Sequence, residues 1–152
     1  MRIGIADTTF SRVNMGQVAI TAIKETDPEI ELERYTVPGF KDLPVACKIL
    51  FEKYRCDIIL AFGWAGKEDI DEECAHEANQ GLIRAELDAG KHILKVFFHE
   101  QETADRQQQK AIALDRAKKH ALNALELLKS KEALTPYAGG GRRQGYQDAG
   151  KI

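Results

Sequence analysis

Short apolar runs alternate with longer stretches of helical period along most of the chain, and this alternation restricts the fold more than any other feature. Arg2 to Ala6, Ile30 to Thr36, Asp57 to Gly63 and His92 to Phe98 read as strands. Val13 to Glu25, Leu43 to Tyr54 and Asp71 to Ala89 read as helices between them, and a longer helix runs from about Thr103 to Ser130. Connections of this length are too long for hairpins, so the pattern predicts a parallel sheet with helices on both faces. Asp57-Ile-Ile-Leu-Ala-Phe-Gly63 is nearly all apolar, as a central strand covered on both sides should be. In the last helix Ile112, Leu114, Ala117, Ala121, Leu125 and Leu128 recur near helical spacing and predict a core stripe. Past Lys131 the pattern stops, and Thr135-Pro136 and Gly139-Gly-Gly141 begin an irregular tail. The expected organisation is one α/β domain over 1–134 followed by a tail over 135–152.

A chain of 152 residues is the size of one domain and can bury roughly 70% of the surface its unfolded form exposes. With 22 basic against 24 acidic side chains it has no general attraction for nucleic acid or anionic membrane, so recognition must be local. Cys47, Cys56 and Cys74 are odd in number and lack metal-type pairing, which predicts reduced thiols used as small apolar residues in a cytoplasmic protein. No apolar run approaches the ~20 residues of a membrane span, and Met1-Arg2 leads into a strand without a signal-peptide pattern.

Ligands of open parallel sheets sit beyond the carboxyl ends of the strands. The loops expected there are Asp7-Thr8-Thr9-Phe10, Pro38 to Asp42, Trp64-Ala65-Gly66-Lys67 and His99-Glu100. Aromatic rings, threonines, lysines, a histidine and carboxylates collected at one rim suit a flat polar heterocycle with a hydroxylated chain. The first loop lacks the glycine-rich dinucleotide fingerprint, and the chain has no Gly-Lys-Ser/Thr phosphate loop. A nucleotide anchored by its phosphates is therefore not expected. Within the second loop, Pro38 stiffens the backbone before Gly39, after which Lys41 and Asp42 are delivered into a binding loop. Gly139-Gly-Gly-Arg-Arg-Gln-Gly145 has the look of a segment that binds single-stranded nucleic acid, but one short copy in a near-neutral chain is weak support.

Thr36-Val-Pro-Gly-Phe-Lys-Asp-Leu-Pro44 resembles the ribityl-binding loop of the lumazine synthase family, and Cys74-Ala-His-Glu-Ala-Asn-Gln-Gly81 resembles the run that begins that family's third helix. Between Gly63 and Cys74 the chain is about three residues shorter than a lumazine synthase, and a histidine used there in proton transfer is missing. The pattern matches the archaeal type of riboflavin synthase, a relative of lumazine synthase. The matching blocks are Asp-Thr-Thr-Phe at 7 to 10, Thr36 to Cys47, Cys74 to Ala78, Phe-x-His-Glu from Phe97 to Glu100, and Arg-Gln-Gly-x-x-Asp-Ala-Gly from Arg143 to Gly150. They span essentially the whole chain.

The resemblance implies a three-layer αβα fold with a four-stranded parallel sheet in the order 2-1-3-4. It implies a transferase in the last step of riboflavin biosynthesis: two 6,7-dimethyl-8-ribityllumazine molecules dismutate to riboflavin and 5-amino-6-ribitylaminouracil. No redox cofactor or ATP is needed; Mg2+ is compatible with the reaction but not demanded by it. One ring loses a proton from its acidic C7 methyl and attacks the other, so two lumazines must lie face to face in each site. His76 and His99 are the expected acid-base residues, with Glu77 orienting His76 or serving the helix N-terminal turn. His76 also reads as a solvated helix residue.

Phe10 is expected to stack on a ring and Asp42 to bond the ribityl hydroxyls, with Thr8, Thr9, Gly39, Phe40, Lys41 and Glu100 around them. Capping is the plainer reading for the threonines and core packing for Phe10. Trp64 reads equally as a stacking ring or as interface filling. Lys95 and His99 are expected to serve a neighbour's site in a homopentamer or larger assembly. The resemblance implies a tail ordered over a site or a neighbouring subunit, with Arg142, Arg143 or Gln144 reaching the heterocycle carbonyls of the substrate. Two other functions fit the same rim: lumazine synthesis, and non-catalytic carriage of a flavin or lumazine.

Overall fold

The computed structural model describes the whole chain, Met1–Ile152. Its elements run β1 (Arg2–Thr8), α1 (Met15–Thr26), β2 (Glu31–Val37), α2 (Leu43–Glu52), β3 (Ile58–Ala65), α3 (Asp69–Ala89), β4 (Ile93–His99) and α4 (Arg106–Lys129). The four strands form one sheet in the order β2-β1-β3-β4, and every pairing is parallel. This is the expected three-layer architecture, with α1 and α4 on one face and α2 and α3 on the other.

The strand ends differ from expectation, and the difference matters for the site. Thr8 pairs with Val37, Trp64 with Phe98 and Ala65 with His99, so the ladder holds residues that the sequence assigned to loops. Helix starts shift for a reason that is local in each case. Asn14 accepts the Gln17 N–H at 3.1 Å, which starts α1 at Met15. Glu68 and Asp71 form a reciprocal capping box and start α3 at Asp69, ahead of the expected Asp71. Asp105 accepts from Gln107 and Gln108 at 2.8 and 3.0 Å, leaving Thr103 outside α4.

On one face, Ile3, Ile5, Leu60, Phe62, Trp64, Val96 and Phe98 pack beneath Ala19 and Ala22 of α1 and Ala113, Ala117, Ala121 and Ala124 of α4. Small side chains let the helices approach closely. Leu114, expected in this stripe, is only half-buried and lies outside the core, while Ala113 and Ala124 take core places. On the other face Leu43, Cys47, Leu50, Ala75, Ala78 and Leu82 cover Ile59, Ala61 and Phe97. There α3 presses onto the start of α2, and a Cβ on Gly81 would come within 2.7 Å of the Pro44 ring. Two of the sequence blocks therefore meet in one packing contact.

Burial pushes the Cys47 and Cys56 thiols up to about 12 and 11, which makes both inert. Cys74 departs from the expected buried role. It is half-buried, with Sγ 4.0 Å from Lys41 Nζ. No helix is long and apolar enough to cross a membrane.

Candidate active site

The first two rim loops are joined through their backbones. Thr9 N–H donates to the Val37 carbonyl at 2.9 Å, and Phe10 N–H and Thr9 Oγ1 both donate to the Pro38 carbonyl at 3.3 Å. Phe10 is held this way with 55% of its surface exposed, so its ring is free to stack. The core-packing reading of Phe10 does not hold.

Residues Phe40–Asp42 form a 3-10 turn at whose start Gly39 is extended. Phe40 turns inward, contrary to its expected place against a ligand. Its ring lies 5.8 Å from that of Phe97, and Phe97 in turn covers Gly63, where a Cβ would come within 2.8 Å of the ring. Phe40 is thus a pillar that supports the loop from below. Lys41 and Asp42 remain exposed above it. Lys41 Nζ lies 3.1 Å from Glu77 Oε2, and this contact, with the Cys74 sulfur next, raises the ammonium above its ordinary value. Asp42 precedes α2 without capping it, which leaves its carboxylate free to accept from a ligand.

Below these loops Asp7 is buried and fully engaged. Arg34 donates to it through Nη2 at 2.5 Å and Nε at 3.1 Å, and Thr36 Oγ1 donates at 2.7 Å. Gly16 lies so close that a Cβ would reach within 2.4 Å of the carboxylate. Thr8 is buried, and its hydroxyl accepts the Ser11 N–H at 3.3 Å. Thr8, Thr9, Arg12, Arg34 and Thr36 border a cavity of about 270 Å³.

At the other half of the rim, Trp64 is 1% exposed and packs 4.5 Å from the Phe98 ring. It therefore presents no face to a ligand or to a neighbouring subunit, contrary to both expectations. Its Nε1 donates to Glu100 at 2.8 Å, and Arg12 reaches the same oxygen at 3.2 Å. The Trp64 hydrogen bond is the main reason the Glu100 carboxyl lies below its usual range.

His99 ends β4 with its Nδ1 2.8 and 3.0 Å from the two Glu72 oxygens. A carboxylate can only accept, so this contact places a proton on Nδ1 and leaves Nε2 as the ring nitrogen turned away from Glu72, which in the neutral imidazole carries the lone pair. The His99 N–H donates to Glu102 at 3.1 Å. Arg116 grips Glu102 with two hydrogen bonds of 2.7 and 2.8 Å, and Tyr146 adds a third at 2.6 Å. Burial alone would raise the Glu102 carboxyl; the hydrogen bonds from Arg116, Tyr146 and His99 outweigh it and hold the value at about 2.

Other expected residues fall elsewhere. His76 is exposed on α3 and makes no side-chain hydrogen bond, as the solvated reading has it, and Glu77 pairs with Lys41 rather than orienting His76. Lys95 is ion-paired with Glu86. Arg143 folds back onto the Gln147 carbonyl at 2.7 Å, and the Gln144 carbonyl accepts from Arg116 at 3.3 Å. Within the single chain, Arg143 braces the tail against itself, and Gln144 fastens it to α4. Glu72, Glu102, Arg116, Tyr146 and Arg34 escaped sequence reasoning. The available signal was the Phe-x-His-Glu block, whose neighbours Glu102 and Arg116 serve the same strand end.

The family model for 6,7-dimethyl-8-ribityllumazine synthase matches residues 1–132. The chain is 47% identical over 152 residues to the riboflavin synthase of Methanothermobacter thermautotrophicus, covering 100% of this chain and 99% of that protein. It is 44% identical to the riboflavin synthase of Archaeoglobus fulgidus over the same 152 residues, again 100% of this chain and 99% of the relative. Against the riboflavin synthase of Aeropyrum pernix it is 43% identical over 151 residues, 99% of this chain and 97% of the relative. Parallel αβα topology, a rim built from the Val-Pro-Gly loop and the β4 end, and full-length similarity agree: the chain belongs to the 6,7-dimethyl-8-ribityllumazine synthase family, alongside the archaeal riboflavin synthases.

Proposed function

We propose that the protein is a riboflavin synthase, a transferase that converts two molecules of 6,7-dimethyl-8-ribityllumazine into riboflavin and 5-amino-6-ribitylaminouracil. Full-length similarity to proteins of that name supports the reaction. The observation that carries it at the level of the site is the rim, where an exposed Phe10 ring, an unpaired Asp42 carboxylate and a His99 with Nε2 free stand at one edge of the sheet.

In this reading Phe10 stacks on a lumazine ring and Asp42 accepts from ribityl hydroxyls. Thr9, Gly39, Lys41 and Glu100 frame the pocket. His99 takes the proton from the C7 methyl of one lumazine and returns it later in the sequence. Holding the rings face to face supplies the rest, since fixing two reactants in near-attack geometry contributes on the order of 7–11 kcal/mol. His76 and Glu77 are retained as acid-base candidates only with a neighbouring subunit completing their surroundings, and the same holds for Lys95, Arg143 and Gln144 as substrate contacts.

A homopentamer belongs to the proposal. Val45 on α2 and Ile70, Ile83 and Leu87 on α3 are exposed in the single chain, and Ile83 and Leu87, one helical turn apart, offer apolar surface that a neighbouring copy would cover. Light scattering that returned a monomer at working concentration would count against sites shared between subunits. A cytoplasmic location is part of the same reading and is supported by the three free thiols.

The decisive experiment supplies 6,7-dimethyl-8-ribityllumazine alone, with and without Mg2+. Riboflavin and 5-amino-6-ribitylaminouracil should form in equal amounts. No riboflavin under either condition would overturn the assignment and leave a carrier. Formation of lumazine from the pyrimidine and a four-carbon phosphate would instead indicate lumazine synthesis.

A further inference from the structure

Glu102 is the point where β4, α4 and the tail meet. Its Oε1 accepts from the His99 N–H at 3.1 Å and from Arg116 Nη1 at 2.7 Å. Its Oε2 accepts from Arg116 Nη2 at 2.8 Å and from the Tyr146 hydroxyl at 2.6 Å. A carboxylate has about four lone-pair positions, so these contacts leave it no capacity for a ligand or a transferred proton. Glu102 therefore does not take part in the chemistry directly. Arg116 Nη1 also donates to the Phe97 carbonyl at 2.9 Å, so the guanidinium holds the strand from the residue before Phe98 while Glu102 holds it from the residue after.

We propose that Glu102 is the positioning residue for His99, and that the C-terminal tail, through Tyr146, is a working part of that support. The proposal rests on the reading of His99 as the proton-transfer residue. Glu72 orients the imidazole through Nδ1, and Glu102 fixes the backbone from which the imidazole projects. Together these two anchors determine where Nε2 points.

The tail's seat is built for the purpose. Gly145 N–H donates to Asp115 at 2.8 Å, and Lys119 donates to the Tyr146 carbonyl at 3.1 Å. Gly145 has φ of +91°, and a Cβ there would come within 2.9 Å of both the Arg116 guanidinium and Ile112. Only glycine lets the chain turn so close to Arg116 and still deliver the Tyr146 hydroxyl.

The test uses the full-length protein and the variants Glu102→Ala, Tyr146→Phe, His99→Ala and the double variant Glu102→Ala/His99→Ala. Displacing His99 should lower kcat roughly 10- to 100-fold in Glu102→Ala and severalfold in Tyr146→Phe, with KM for 6,7-dimethyl-8-ribityllumazine nearly unchanged. In the His99→Ala background the Glu102 substitution should cost less than about twofold more, because the group it positions is gone. A purely structural Glu102 would lower the melting temperature and leave kcat intact, or lower kcat equally in both backgrounds; either result overturns the proposal. Loss of turnover in His99→Ala with none in Glu102→Ala removes the positioning role alone. Wild-type turnover in His99→Ala removes the reading of His99 and the positioning role with it. Hydrogen exchange at the His99 amide reads the link without turnover: it should quicken in Tyr146→Phe, and an unchanged rate would sink the tail's part.

Discussion

The two halves of the rim are built in opposite ways. The β1–β2 half is held by backbone hydrogen bonds from Thr9 and Phe10 to Val37 and Pro38, and the two side chains that face outward for a ligand, Phe10 and Asp42, are left free. The β3–β4 half is held by side chains, with Glu72, Glu100, Glu102, Arg116 and Tyr146 each committed to a partner. A half with free side chains can adapt to a ligand's shape and hydroxyls. A half whose charges are already paired pays no reorganisation when a proton moves, and so suits chemistry. The division predicts that one half governs affinity and the other governs rate.

The largest expected effect is on the β4 side. His99→Ala should reduce kcat by about 10²- to 10⁴-fold with little change in KM, the range for losing a positioned acid-base group. Steady-state kinetics at saturating lumazine checks this, and a loss confined to KM would erase the distinction between the halves.

Next comes Asp42→Ala on the opposite side. Losing a charged acceptor for ribityl hydroxyls costs about 1.5–3 kcal/mol, so KM should rise roughly 10- to 150-fold while kcat holds. Phe10→Ala should act in the same direction but less, by about 2- to 12-fold, if stacking contributes the usual 0.5–1.5 kcal/mol. Measured dissociation constants for a non-reacting lumazine analogue would separate binding from chemistry in both. A fall in kcat for either variant would show that the β1–β2 half does more than bind.

The effects that leave turnover at neutral pH untouched are on stability against pH, and they too fall on the β4 side. Glu102 has a folded value of about 2 against an ordinary 4.5, so its contribution is fully present above pH 4.5 and is lost as pH falls toward 2. Partial exposure limits that contribution to the order of 1–2 kcal/mol. His120 on α4 is pushed down to about 4 by burial and by Arg116, and its Nδ1 is buried without a partner. Unfolding lets it bind a proton, so stability should decline as pH drops from 6.5 toward 4. Urea midpoints across pH 7 to 2 should show both slopes; Glu102→Gln should flatten the lower one and His120→Leu the upper.

The fold was legible because a covered parallel sheet writes continuous apolar runs such as Asp57 to Gly63, separated by helical periods. Strand ends were less so: Trp64 looks like a loop aromatic by sequence, yet the β3–β4 ladder continues through it and buries its ring. The β1–β2 half of the site was readable since Pro38, Gly39, Lys41 and Asp42 sit together in one loop. Phe40 was the exception, because nothing in the loop reveals that its ring meets Phe97. The β4 half was largely invisible. Glu72 lies 27 residues from His99, and Arg116 lies 14 from Glu102, each one charge among many in a chain that is 30% charged. Only the folded register brings them together.

The unequal burial of the three cysteines has a practical consequence. Two are sealed in the interior, and Cys74 stands beside Lys41 at the edge of the Val-Pro-Gly loop. A small chromogenic disulfide reagent should therefore modify one thiol quickly and two only on unfolding. Bound lumazine that covers Lys41 should slow that single reaction. Under the proposed function, Cys74 would thus serve as an optical reporter of site occupancy, usable without introducing a label or following turnover.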